Sequence, residues 1–130
     1  MAGADTGLLE LPYKATTAIV KLRFVKISGD QTIAAVAAAT DRALGVAKVD
    51  ISAAEFALGK GTVVQVLGVA WVEAGAAVAI NAFVQPDSVG RAITAVSTGF
   101  TAGVALKAAA AAGDWIPVLL LPGAFSIAKT

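Results

Sequence analysis

The side chains in this sequence that could carry chemistry are nine carboxylates, ten cations and two tryptophans. Gly59-Lys60-Gly61-Thr62 resembles part of a phosphate-binding loop. That loop needs Lys followed directly by Ser or Thr, and then a helix whose first amides face the phosphate. Here Gly61 intervenes and a β-branched run follows, so the segment reads as a loop entering a strand. Glu73, Asp87 and Asp114 fall at expected strand ends or turns. Two carboxylates can divide acid and base work when their surroundings separate their pKa values. Nothing in the spacing pairs these three, and an Asp in a turn usually accepts from its own backbone. Structural roles are expected for all of them. Lys14, Lys21, Arg23 and Lys26 form a basic cluster with no acid among residues 14–26. They read either as a contact for an acidic protein surface or as the solvent face of one strand. Single-stranded nucleic acid would call for aromatic residues between the cations. Only Phe24 is there, and its parity places it on the opposite face. Trp71 and Trp115 are the largest potential anchors, since Trp is enriched at binding hot spots. A core position is expected for at least one of them.

Several functions are excluded by what is missing. The chain has no cysteine and no histidine, which removes thiolate nucleophiles, zinc–cysteine sites, imidazole ligands and the commonest general base. A net charge of +1 is too balanced for a dedicated binder of nucleic acid or membrane surface. Met1–Gly7 lacks the basic and apolar regions of a signal peptide. The longest apolar stretch, Ala108–Phe125, is broken by Gly113, Asp114, Pro117, Pro122 and Gly123. A soluble, non-secreted protein without enzymatic activity, cofactor or metal is expected. The chain is 58% hydrophobic and 15% charged, against about 45–50% and 25% in ordinary domains. Such a composition implies apolar surface that is covered by partners or by copies of the chain itself.

These residues must be positioned by short strands. At 130 residues the chain is expected to be one domain, with an arm over 1–16 and a β-rich body over 17–130. Leu8, Leu9, Leu11 and Tyr13 surround Pro12 in the arm, and would be wasted in solvent. An extended segment docking on a neighbour accounts for them. From Ala18 the pattern has period two, predicting a half-buried strand over Val20–Lys26. Further strands are predicted in 31–36, 62–72, 78–80, 82–84, 92–96, 103–108 and 115–121, separated by Gly, Pro, Asp and Ser. Three unequally spaced Gly-Val-Ala triplets begin at Gly45, Gly68 and Gly103 and predict strands that bend. Ser52-Ala-Ala-Glu55 fits a capping box for a short helix ending at Gly59. The alanine runs 37–39 and 108–112 predict a helical turn at most. About eight short strands predict an all-β fold, a small single-domain barrel or sandwich with an extended N-terminal arm.

An ordered series of segments then carries a resemblance. Arg42-Ala-Leu-Gly-Val-Ala, Gly61-Thr-Val-Val-Gln-Val-Leu-Gly-Val-Ala and Val72-Glu-Ala-Gly-Ala-Ala-Val come first. Asp87-Ser-Val-Gly-Arg-Ala, Gly103-Val-Ala-Leu-Lys-Ala-Ala, Ala112-Gly-Asp-Trp-Ile and Val118-Leu-Leu-Leu-Pro-Gly follow. The series resembles the capsid cement (decoration) proteins of tailed bacteriophages over Arg42–Gly123, with Arg23-Phe-Val-Lys-Ile a looser match upstream. The resemblance implies a virion structural protein on the outer surface of an icosahedral capsid, cementing neighbouring major-capsid subunits. It implies a homo-oligomer, a trimer before a dimer, with no nucleic acid, membrane or cofactor involved. Candidate contacts for the capsid or a second copy are Leu8, Leu9, Leu11, Tyr13, Lys21, Arg23, Lys26 and Trp71. A small β-barrel binding module, such as a virion adhesin or fibre-tip domain, is the alternative. An enzyme domain that borrows its base from a partner chain is a third.

Overall fold

The computed structural model describes residues 7–96 and 100–121, with side chains described from Leu9 onward. The strands are β1 (Gly7–Ala15), β2 (Phe24–Gly29), β3 (Thr32–Ala35), β4 (Gly45–Ala47) and β5 (Gly61–Glu73). After these come β6 (Phe83–Pro86), β7 (Ala92–Thr94), β8 (Gly103–Ala105) and β9 (Trp115–Leu120). One short helix, α1 (Ala53–Ala57), precedes β5. The fold is all-β, as the turn-punctuated pattern predicts. Pairing runs β1-β3-β2-β4-β5, and β1 also pairs with β5, which closes a five-stranded barrel. A second sheet continues from the far half of β5 in the order β5-β9-β8-β6-β7.

The long strand β5 joins the two units. Its first half lies between β1 and β4, and its second half, from Val69, pairs with β9. Gly68 stands at the switch with φ +95, a left-handed conformation that a side chain resists. The bend frees backbone carbonyls, and the buried amide of Gln65 takes them up. Its Nε2 donates to the carbonyls of Leu67 at 3.3 Å and Val69 at 2.7 Å. Gly45 is not in the left-handed region; a Cβ there would overlap the Gln65 carbonyl, so its small size allows β4 to approach β5.

Two apolar cores result. Ala15, Ile19, Val25, Ile33, Ala47, Ile51, Val64 and Val66 fill the barrel. Phe24, Val46, Ala70, Val72, Ile116, Val118 and Leu120 belong to the core under the second sheet. Neighbours along one strand, Phe24 and Val25 or Val46 and Ala47, therefore face different cores. Each fully buried Val or Ile contributes about 1.5–3 kcal/mol relative to exposure. That arrangement explains why these strands lack a polar parity.

Three expectations are corrected. The strand expected from Val20 begins only at Phe24. Residues 21–23 turn, with Leu22 at φ +62 and the Lys21 amide donating to Asp50 Oδ1 at 2.8 Å. Val78–Ile80 is not a strand: Val78 makes an isolated bridge to Ala109, and the chain then turns through Asn81 at φ +69. Neither tryptophan is in a core, because both point to the outer face of the second sheet. Trp71 is half-buried and Trp115 is 55% exposed. The capping box is present as predicted. Ser52 Oγ accepts from the Glu55 amide, and the Glu55 carboxylate accepts from the Ser52 amide at 2.9 Å. That amide, together with the Ser52 hydroxyl, holds the Glu55 pKa below its ordinary value.

Candidate interaction surfaces

The residues proposed for contact fall into two regions. In the segment expected as an arm, Gly7–Ala15 is extended and built into the barrel as β1. It runs antiparallel to β5 from Gly7↔Gly68 to Lys14↔Gly61 and parallel to β3 at Lys14↔Thr32 and Ala15↔Ile33. Leu11 and Tyr13 pack on the barrel core, while Leu9 is 41% exposed beyond a register shift. The side chain of Leu8 lies outside the described residues.

The cations do not form one basic face. Arg23 Nε donates to Glu73 Oε1 at 3.0 Å, and Lys26 Nζ donates to Asp41 Oδ2 at 3.0 Å. Lys21 is exposed on the turn before β2. Asp41 Oδ2 also accepts the amides of Ala37 and Ala38 at 3.0 and 3.1 Å. The Ala37 amide first, and the Lys26 ammonium second, hold its pKa below the ordinary value. The ion pair borders a groove of about 830 Å³. Leu11, Leu44 and Val66 line its apolar part, and Lys26, Asp41 and Arg42 its polar part. Leu11 from β1 and Lys26 from β2 thus meet at one groove.

Trp71 belongs to a different surface. The register sets Trp71 opposite Pro117, Val69 opposite Leu119, Leu119 opposite Val104, and Val104 opposite Phe83. These side chains share the outer face of the second sheet, along with Trp115, which lies opposite Glu73. Leu119 is 40% exposed and Phe83 is 43% exposed. An antiparallel sheet with one solvated face normally alternates apolar and polar residues. Here the outer parity is apolar too, apart from Glu73, which is bound to Arg23, and Gln85, which is buried with its amide bonded to Ala39 and Val96. Sequence reasoning found Trp71 but missed Val104, Pro117 and Leu119. The available signal was Trp115–Leu120, which is apolar at both parities.

The carboxylates at strand ends and turns hold backbone amides or cations. Asp87 accepts the amides of Val89 and Arg91 and pairs with the Arg91 guanidinium at 3.1 Å. Asp114 accepts the amides of Ala110 and Ala111. Lys60 directly precedes β5, so a strand follows the glycine–lysine segment, not a helix. Among the described residues no three acidic side chains gather closely enough to hold a metal ion.

A closed five-stranded barrel joined to a second sheet defines a small all-β protein. The chain belongs to the phage cement protein family, which it matches over residues 4–120, and it is a structural protein of the phage virion. The match extends well upstream of Arg42. Its fold is similar to the crystal structure of the N base of the head fibre gp8.5 of bacteriophage phi29. That comparison has a TM-score of 0.63 at 20% identity and covers 91% of this chain and 98% of the other. Comparison with curated proteins gives no match.

Proposed function

We propose that this protein attaches to the outer surface of an icosahedral phage capsid and cements neighbouring major-capsid subunits. It would do so as a homo-oligomer, a trimer before a dimer, without nucleic acid, membrane or cofactor. Membership of the cement family carries the reading. The likeness to the base of a fibre on a phage head supports a place on the head. The surfaces agree with that role. A cement protein needs one attachment to the shell and a way to bridge, and two separate apolar regions are present. The groove where Leu11 meets the Lys26–Asp41 pair suits the capsid, since it combines apolar lining with charges that can select a partner. Bound area adds to shell stability by linkage, because the ligand binds the assembled state and not the dissociated one.

Co-sedimentation of the purified protein with undecorated capsids tests this. Saturable binding at a fixed number of copies per shell is expected. Absence of binding, with capture of a host-surface glycan instead, would replace it with the adhesin reading.

A further inference from the structure

We infer that the outer face of the second sheet, centred on Trp71, Trp115, Pro117, Leu119, Val104 and Phe83, is where a second copy of this chain packs. The inference rests on the homo-oligomer part of the reading above and assigns its surface. Area is the first argument. The fractional exposures of these side chains leave roughly 350–500 Å² of apolar surface, with aromatic residues presenting about 150–250 Å² when fully open. A standard interface takes roughly 800 Å² from each partner, and about 65% of it is apolar between identical subunits. The face therefore supplies most of the apolar share that one such contact needs.

Charge is the second argument. Recognition of a foreign protein draws on charged and polar groups placed to match it and to reject others. Among the described residues this face offers Glu73, which Arg23 already holds at 3.0 Å, and the buried Gln85, whose amide is taken up by Ala39 and Val96. Identical copies arranged about a symmetry axis bring like residues together, so a self-contact must avoid like charges at its centre. A sheet face whose one carboxylate is already paired meets that condition about a three-fold or a two-fold axis.

The chain has two tryptophans, and both lie on this face, so the native protein reports on its own contact. Light scattering and tryptophan fluorescence of the full chain, across a dilution series, test the inference. Concentrated protein should be an oligomer with emission shielded from iodide. Dilution should yield monomer, a red shift and at least a two-fold rise in quenching. Leu119→Lys, at a 40% exposed position, should weaken association at least 100-fold while a circular dichroism melt shows it folded. A chain that stays monomeric at high concentration overturns the inference. So does an oligomer whose tryptophans are quenched as readily as those of the monomer, and that readout needs no variant. A monomer that still saturates capsids would defeat this inference and leave the capsid reading standing. An oligomer with shielded tryptophans that ignores capsids would do the reverse.

Discussion

Replacing Gly68 by valine should damage the junction between barrel and sheet. At φ +95 a residue with a Cβ is strained, and a β-branched one most of all. Backbone strain of this kind costs about 1–3 kcal/mol, and valine belongs in the upper half of that range. The strand can escape only by straightening. That would withdraw the carbonyls of Leu67 and Val69 from the Gln65 amide, a group with no exposure to water. One kcal/mol moves the melting temperature by about 4–8 °C in a domain of 60–100 residues and by about 2–4 °C at 150–250 residues. For this 130-residue chain Gly68→Val should lower it by roughly 5–12 °C. Gly59→Ala is the control. Gly59 also has positive φ, +79, but nothing lies within 4 Å of where its Cβ would be. It should lose only about 1 kcal/mol. Differential scanning calorimetry of the two variants compares them directly. A Gly68→Val protein that melts with the parent would show that β5 can cross from barrel to sheet without the left-handed bend.

Two other perturbations follow from the same contacts. Asp41→Asn should cost about 1 kcal/mol near pH 7, the upper end for a partly exposed pair. Because the folded pKa of Asp41 is lowered, its contribution is complete above the unfolded value and is lost as pH falls through the folded one. Urea titrations should therefore show the gap between parent and variant closing below the ordinary value of 3.8; a gap that persists at pH 2 would contradict this. Deleting residues 1–13 should open the barrel, since it removes Leu11 and Tyr13 from the core and leaves β5 an unpaired edge over Thr62–Gly68. Circular dichroism should show a melt lowered by more than about 10 °C or no cooperative melt, and an unchanged melt would mean that β1 does not support the fold.

Features that depend on adjacent residues were legible in the sequence. Ser52 and Glu55 are three positions apart, so their reciprocal hydrogen bonds could be read directly. The strands at Thr62–Val72 and Trp115–Leu121 announced themselves by β-branched and aromatic runs. What depends on distant pairing was not legible. Arg23 is neutralised by Glu73 and Lys26 by Asp41, so a basic run along the chain becomes two separate ion pairs in space. Closure of the barrel requires Gly7 to meet Gly68, and no local pattern encodes that pairing. Period two misled at Val20–Phe24, because alternation is blind to the left-handed turn at Leu22. It also cannot show which side of an all-apolar strand is covered. In β9, Ile116, Val118 and Leu120 are buried while Trp115 and Leu119 are exposed, yet all five are large and apolar.

The central claim, that this chain strengthens a phage shell by binding it, is tested most directly by calorimetry of undecorated capsids with and without the protein. At a free concentration near 100 times Kd, binding to one site stabilises the assembled state by about 2.7 kcal/mol, repeated at each site. The capsid transition should move upward and plateau once the sites are full. A transition that stays in place while the protein is demonstrably bound would show that it decorates the shell without cementing it.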